Sequence, residues 1–322
     1  MTDLLKNRRH WFKITLTMLI GFAAIAPLFV PGYYLYILET IYVGAIITIG
    51  YNICMGNAGQ ISLASAGFQG VGAYGTGILM KFGLSFWSAW PIAIVIGTVL
   101  GWFTGLPALR VGGHFLALIT LGLVQSLWLV LVNWEKVTGG SAGMRMAAPT
   151  LGGMTFSLGS GGAYILCFVS FILLTLCARN IVSSRIGRTF NAIRLNEAAA
   201  EASGINLTIY KTTAFAIHAF YAAVAGGLTG VIVGYLDPNE YSIWTSITHL
   251  TYIVVGGMGS IVGSVVGTVS LVVLLEGLRF LKELKLLIYG VLLIVFLIFM
   301  PQGIVGGLKE VGRAILARGR KE

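Results

Sequence analysis

Charged residues are scarce in this sequence. Only 10% of its 322 residues are Asp, Glu, Lys or Arg, and 57% are hydrophobic, whereas an ordinary soluble domain is about 25% charged. Residues 14–178 contain six charged side chains, and residues 212–275 contain two. Uncharged stretches of this length match a bilayer, because about 20 apolar residues at a helical rise of about 1.5 Å cross a hydrocarbon core of about 30 Å. The composition therefore excludes a protein that is surrounded by water alone, and it is typical of a membrane protein.

Cysteine is also rare, and the sequence motifs of several enzyme classes are missing. The chain has three cysteines, and Cys167 and Cys177 are too far apart in one predicted helix to form a disulfide. An odd number without a spaced cluster argues against a disulfide framework or a zinc site. There is no GxxxxGK[ST] phosphate loop, no HExxH, no paired carboxylates and no nucleophile beside a base. We therefore assign no catalytic residue, no metal site and no cofactor to this chain.

Apolar runs bounded by Gly, Pro and charged clusters predict an all-α, polytopic membrane protein with about ten spanning helices in one domain over residues 1–322. The predicted helices lie near residues 12–30, 34–54, 58–80, 89–108, 114–132, 161–179, 212–235, 242–258, 261–281 and 285–303. The first resembles a signal peptide, but Pro27 directly follows its small-residue triplet, which disfavours cleavage. We therefore expect a retained first helix.

The basic residues predict the orientation. Ten spans place both termini on one side, and 15 of the 21 basic residues lie in the terminal tails, at Arg110 or within residues 179–211. The positive-inside rule makes that side the cytoplasm. The net charge of +10 does not indicate a nucleic-acid partner, because the basic residues are scattered between apolar spans.

The segment 133–162 is polar and Gly-rich, and this topology places it outside the cytoplasm. Two interpretations stay open for this extracytoplasmic loop. It is a surface for an extracytoplasmic partner, or it is a flexible connection between two five-helix halves.

The cytoplasmic segment 180–211 contains a short helix with both ends encoded in the sequence. Asn196 is a good N-cap, Glu197 places negative charge at the positive end of the helix dipole, and Gly204 suits a left-handed C-terminal stop. The alanines between them are strong helix formers. A rod with few bulky side chains fits a groove of another protein, and flanking charges supply polar contacts. The residues assigned to this coupling role are Arg188, Arg194, Asn196, Glu197, Ala198, Ala199, Glu201 and Gly204.

This segment and three other stretches of the sequence resemble a known protein family. GRTFNAIRLNEAAAEASGIN, residues 187–206, resembles the EAA loop of ABC-importer permeases, which docks on the ATP-binding subunit. The stretches 56–79, 109–143 and 254–279 resemble the Liv-type, high-affinity branched-chain amino-acid permeases. The extended loop after the fifth span is similar to the LivM-like member of the permease pair.

This resemblance implies an ABC-transporter permease subunit in the bacterial inner membrane, with two inverted five-helix halves. It implies a second related permease subunit, two ATP-binding subunits that hold ATP and Mg, and a periplasmic substrate-binding protein, with membrane lipid around the permease. The implied cargo is a branched-chain amino acid or a similar small neutral or zwitterionic solute. Urea or short amides fit the same pathway, and a stand-alone channel or secondary carrier is the alternative class.

Polar residues inside the predicted spans must face other helices or a water-filled cavity, because burying a polar group in hydrocarbon without a partner costs roughly several kcal/mol of free energy. They line a translocation pathway, or they form hydrogen bonds between helices. These candidates are Gln60, Ser62, Gln69, Tyr74, Thr120 and Gln125. His218 and His249 lie near mid-span as proton relays or as packed neutral imidazoles. The glycines Gly259, Gly263 and Gly267 recur every four residues and predict close helix packing.

Overall fold

A computed structural model describes residues 30–107, 114–152, 154–277, 287–288, 290–291, 294 and 303–307. Eleven α-helices have defined bounds within this part of the chain. They are α1 (Gly32–Asn52), α2 (Ser65–Lys81), α3 (Phe86–Thr104), α4 (His114–Asn133), α5 (Glu135–Thr138), α6 (Gly161–Ser183), α7 (Arg185–Leu195), α8 (Glu197–Ala202), α9 (Leu207–Val233), α10 (Ile243–Gly256) and α11 (Ile261–Gly277).

Within the described residues, five helices are long and apolar enough to cross a membrane. They are α1 with its continuation to Asn57, α3, α4, α6 and α9. The predicted first helix, 12–30, lies outside the described residues except for its last position, and most of the predicted last helix, 285–303, does too. The all-α, membrane-spanning class is confirmed, and the count of ten spans stays a prediction.

The predicted helix 58–80 is wrong at its start, because the helix begins only at Ser65. Gly59 has φ +70°, which is incompatible with a right-handed helix. The backbone of this non-helical stretch is satisfied by side chains. The amide of Leu63 donates to the hydroxyl of Thr120 at 2.9 Å, and the amide of Ala66, at the start of α2, donates to the hydroxyl of Ser246 at 3.0 Å.

The predicted spans 242–258 and 261–281 are corrected in a similar way. The helix α10 has 14 residues and is shorter than predicted, and α11 is described over 17 residues; residues 278–281 of the second predicted span lie outside the described residues. The two helices meet at a bend of 116°. Gly257 and Gly259 both have positive φ, at +118° and +80°, so the chain turns sharply between the two helices. Together α10 and α11 form a broken span or a re-entrant hairpin.

The helices α1 and α9 form the centre of the bundle. Of the apolar window of each, 72% is buried, compared with 17% in α4. Small residues allow this close packing, because a Cβ atom at Gly50 would collide with Tyr221 and one at Gly72 would collide with Ala223. Both central helices therefore pack with their backbones near those of their neighbours.

The two central helices contact each other and several further helices of the bundle. The helix α9 packs on α1, α2 and α3, and α1 packs on α6, α9 and α11. Each central helix therefore contacts helices from both the earlier and the later part of the chain. The prediction of two inverted halves stays a prediction.

The segment 133–162 contains defined local structure in its described residues. The strand β1 (Met144–Arg145) pairs antiparallel with β4 (Tyr235–Leu236), which directly follows α9. A second pair joins β2 (Thr150–Leu151) to β3 (Met154–Thr155). The segment is thereby attached to the C-terminal end of α9 rather than being an unstructured connection.

Candidate functional site

The short helix α8 has the two ends that the sequence predicts. The side chain of Asn196 accepts a hydrogen bond from the amide of Ala199 at 3.0 Å. At the other end Gly204 has φ +83°, and the amide of Ile205 donates to the carbonyl of Ala200 at 3.1 Å. Of the six residues of α8 only Ala200 is buried. The helix therefore presents most of its surface to solvent.

Glu197 connects α8 to two other elements. Its carboxylate accepts a hydrogen bond from the ammonium group of Lys211, near the start of α9, at 2.8 Å. The same carboxylate accepts from the side-chain amide of Gln60 at 3.4 Å. The short helix is thereby attached to one central helix directly and to the segment that follows the other.

Arg194, near the end of α7, makes a third attachment. Its guanidinium donates to the carbonyl of Gly56, in a π-helical turn (Ile53–Asn57) that continues α1. The same carbonyl lies beside Gly259, whose amide donates to the side chain of Asn52 at 2.8 Å. The end of α1, the α10–α11 turn and the α7–α8 segment therefore meet around Gly56.

Asn52 extends this junction into α11. Its side-chain amide donates to the carbonyl of Ser260 at 3.0 Å and to the hydroxyl of Ser264 at 2.7 Å. Both the nitrogen and the oxygen of the Asn52 side-chain amide are thus hydrogen-bonded. We call the group formed by Asn52, Gly56, Arg194, Glu197, Lys211 and Gly259 the coupling junction.

The other assigned coupling residues face solvent. Arg188, Ala198, Ala199 and Glu201 are exposed. The guanidinium of Arg188 donates to the carbonyl of Ser183 at 3.4 Å. Leu195 directly precedes the N-cap and is 86% exposed. Leu195, Lys211 and Gly56 are not among the residues predicted for this site. For Leu195 the sequence holds a signal, because an apolar residue before an N-cap usually packs on the following helix, whereas Leu195 is exposed.

The six predicted pathway residues do not lie together. Gln60, Ser62 and Thr120 surround the non-helical segment before α2, where the hydroxyl of Ser62 accepts from the amide of Ala64 at 3.3 Å. Tyr74 lies near the middle of α2, where its hydroxyl donates to the carbonyl of Leu236 at 2.9 Å. Gln125 is half-buried and makes no hydrogen bond within the described part of the chain. The sixth residue, Gln69, lines a cavity.

The three predicted packing glycines have two different positions. Gly263 and Gly267 lie on α11, and a Cβ atom on Gly263 would be 2.6 Å from the carbonyl oxygen of Gly257. One on Gly267 would collide with the carbonyl oxygen of Tyr252 in α10. Gly259 instead lies in the turn between the helices. The two arms of the bend therefore touch along their backbones at Gly263 and Gly267.

The cavity has a volume of about 500 Å³ and lies among α1, α2, α9, α10 and α11. Its wall is apolar in part, at Val43, Ile47, Ile232 and Val272. It also includes residues 235–241 beyond the C-terminal end of α9. Val233, the last residue of α9, follows Lys211 of the coupling junction by 22 residues, so this end is about 33 Å from Lys211 at a rise of 1.5 Å per residue. The polar residues lining it are Thr40, Gln69, Thr229, Asp237, Glu240, Thr245, Thr248 and His249, together with the tyrosines Tyr36, Tyr235, Tyr241 and Tyr252.

One carboxyl group is buried inside the helical bundle. Glu39 lies in the third turn of α1, near the end of a predicted span, and is completely buried. It is therefore an ionisable group inside the bundle, although it does not line the cavity.

The fold and these two sites define a class, a multi-pass, α-helical membrane transport protein. A solute-sized cavity lies at one end of the central helix α9, and an exposed, capped short helix lies at the other. Comparison with known proteins makes this more specific. Residues 33–297 match the family described as the branched-chain amino acid transport system / permease component. The chain belongs to this family.

Individual relatives are similar over most of the chain. The high-affinity branched-chain amino acid transport system permease protein LivM of Salmonella typhimurium is 31% identical over 283 residues, which cover 80% of this chain and 67% of LivM. The corresponding LivH of the same organism is 29% identical over 305 residues, covering 85% and 96%. The autoinducer 2 import system permease protein LsrC of Yersinia pseudotuberculosis is 24% identical over 217 residues, covering 65% and 59%. No solved structure matches the chain.

Proposed function

We propose that this chain is one of two related permease subunits of an ATP-driven importer for branched-chain amino acids or similar small zwitterionic solutes. The importer lies in the bacterial inner membrane, with both termini of this subunit in the cytoplasm. Two ATP-binding subunits dock on α8, and a periplasmic binding protein delivers the solute. ATP and Mg are held by the ATP-binding subunits.

The observation that carries this proposal is the anchoring of an otherwise exposed short helix. The helix α8 presents five of its six residues to solvent, which suits docking in a groove of another protein. Its first residue, Glu197, is bonded to Lys211 of α9 and to Gln60. A partner that moves α8 therefore pulls on a central helix through a charge-assisted hydrogen bond, which is stronger than a neutral one.

The coupling junction extends the same movement to the rest of the bundle. Arg194 is bonded to the end of the π-turn that continues α1, and Asn52 joins α1 to the α10–α11 turn. Single π-helical turns inside helices occur frequently at functional sites. A displacement of α8 thus acts on α1, α9 and the broken span together, and these elements line the cavity.

The cysteines of the chain make a crosslinking test practical. Cys54 and Cys167 are buried and Cys177 is exposed, so serine is introduced at these positions first. Ala199→Cys then places a thiol on the exposed face of α8, and Ser141→Cys places one on the exposed loop beyond α4 as the control. We expect Ala199→Cys to crosslink to a copurifying ATP-binding subunit and to block ATP-dependent leucine uptake in proteoliposomes.

Ser141→Cys should form no crosslink to that subunit, because it lies in the segment that is attached to the far end of α9. Recovery of the protein without any ATP-binding subunit, together with leucine uptake that is unchanged by ATP depletion, would reject the importer.

A further inference from the structure

Acidic side chains line the mouth of the cavity. Asp237 and Glu240 line it where the chain leaves α9. The carboxylate of Asp237 is held in place, since it accepts hydrogen bonds from the backbone and side-chain amides of Asn239 at 2.9 and 3.0 Å. Within the described part of the chain, no Lys or Arg lines the cavity. Arg145 is in register with Tyr235 across the β1–β4 pair but is not part of the lining.

A second, independent feature indicates a polar ligand deeper in the same cavity. Gln69 is more than nine-tenths buried and lines the cavity. Its side-chain amide donates to the hydroxyl of Thr229 at 3.2 Å, while its side-chain carbonyl oxygen has no hydrogen-bond partner. A buried acceptor without a partner costs about 1–3 kcal/mol, so a donor on a bound solute would remove a real penalty.

The third feature is the apolar part of the wall. Val43, Ile47, Ile232 and Val272 form a hydrocarbon surface within the same cavity. A volume of about 500 Å³ lies within the range of about 300–1,000 Å³ that is usual for small-molecule sites. The cavity therefore offers an acidic mouth, one unsatisfied acceptor and an apolar wall to a small solute.

From this arrangement we propose that the cavity is a solute subsite selective for an ammonium group joined to a small apolar group, and that it excludes anions lacking an ammonium group. Asp237 and Glu240 receive the ammonium group, the carbonyl of Gln69 accepts a further hydrogen bond, and the apolar wall contacts the aliphatic part. A cleft lined by charge of one sign also concentrates solutes of the opposite sign. This proposal rests on the proposed function, because it specifies which chemical groups of the cargo this subunit itself recognises.

The test measures direct binding to the permease, purified with the subunits that copurify with it, in the absence of any binding protein. The complex is placed in nanodiscs of phosphatidylglycerol, which has no ammonium headgroup. Saturation-transfer NMR then compares three probes with related carbon skeletons: 3-methylbutylamine, L-leucine and 4-methylpentanoate. We expect transfer to the amine and to leucine, and none to the carboxylate.

The charge dependence is tested with the double variant Asp237→Asn, Glu240→Gln. Asparagine retains the acceptor that Asn239 needs, so the loop conformation should persist. Removing a charge-assisted contact weakens binding of the amine by about tenfold or more. Glu135→Gln removes an acidic side chain outside the cavity and should leave the affinity unchanged. Glu240→Gln alone, at an exposed position, should give a smaller loss if the double variant does not fold.

Three results would overturn the subsite. The first is saturation transfer to 4-methylpentanoate equal to that to the amine. The second is an unchanged affinity for the amine in both the double variant and Glu240→Gln. The third is no transfer to any probe at millimolar concentration. Nanodiscs with phosphatidylethanolamine identify the alternative source of the ammonium group, because amine binding that disappears there would assign the mouth to a lipid headgroup. ATP-driven leucine uptake with the binding protein is measured with the same purified complex in proteoliposomes. If the binding tests fail while this uptake is present, the subsite alone is rejected, whereas absence of ATP-driven uptake would reject the importer.

Discussion

The ammonium group of Lys211 lies 2.8 Å from the carboxylate of Glu197. Lys211 is buried in the second turn of α9, whereas the side chain of Glu197 is 46% exposed at the start of α8. The pair therefore joins a central membrane helix to an exposed helix that follows a different span. A buried lysine requires such a partner, because an unpaired buried charge is strongly destabilising.

A charge reversal at this pair should uncouple the transporter. Glu197→Lys places two ammonium groups against each other, so α8 can no longer pull on α9. We expect leucine uptake per purified complex to fall by more than tenfold while ATP hydrolysis by that complex continues, although the variant is less stable than the parent protein. The swapped variant Glu197→Lys, Lys211→Glu restores opposite charges and should recover much of the uptake. Normal uptake in the single variant, or no recovery in the swap, would contradict this role.

Arg194 should be more important than its neighbours in α7. Its guanidinium bonds the carbonyl of Gly56 and lies beside Gly259, whereas Arg185 is exposed at the start of the same helix. Arg194→Gln shortens the side chain and removes its charge, so the link between α7 and the end of α1 is lost. We expect uptake per ATP hydrolysed to fall several-fold in Arg194→Gln and to stay near normal in Arg185→Gln. Equal effects would mean that Arg194 contributes only to the general positive charge of this surface.

Local features of the coupling segment could be predicted from the sequence, because they depend on residues within one or two turns of each other. Asn196 and Gly204 determine the ends of α8 through bonds to residues three or four positions away. The apolar runs likewise predict the bounds of α1, α3, α4, α6 and α9 to within about five residues. These are consequences of short-range geometry that a single sequence contains.

The relationships between segments could not be predicted in this way. The bond from Arg194 to Gly56 joins residues 138 positions apart, and nothing in either segment specifies the other. The same is true of the break before α2, where apolar composition predicts a continuous helix. The left-handed Gly59 and the side chain of Thr120 stabilise a non-helical path instead. The sequence places glycines at the α10–α11 turn, but the angle of 116° depends on how both arms pack.

The contact between the arms of this turn predicts a stability difference between two glycine substitutions. A methyl group at Gly267 would collide with the backbone of Tyr252, whereas at Gly122 in α4 no described atom lies within 4 Å. Overpacking of this kind costs about 1–3 kcal/mol, and Ala is a better helix former than Gly. Gly267→Ala should lower the thermal midpoint in detergent, and Gly122→Ala should leave it unchanged or raise it. A similar midpoint for both variants would show that α10 and α11 separate at little cost.

The two mid-span histidines should respond in opposite ways to replacement by phenylalanine. His218 is completely buried and stacks on Tyr51 with ring centroids 4.6 Å apart, but neither of its ring nitrogens has a hydrogen-bond partner. His249 instead shares a hydrogen bond of 3.0 Å with the hydroxyl of Ser65. Phenylalanine at 218 keeps the stacking and removes an unsatisfied polar group, while at 249 it leaves the Ser65 hydroxyl without its partner.

We therefore expect His218→Phe to raise the thermal midpoint of the detergent-solubilised complex and His249→Phe to lower it. Unsatisfied buried polar groups cost about 1–3 kcal/mol, which is enough to separate the two variants. Leucine uptake by His218→Phe distinguishes a packed neutral ring from a proton relay, because a relay cannot function without an ionisable group. Lost uptake in a variant that remains folded and bound to its partners would identify His218 as a transport residue and contradict its role in packing.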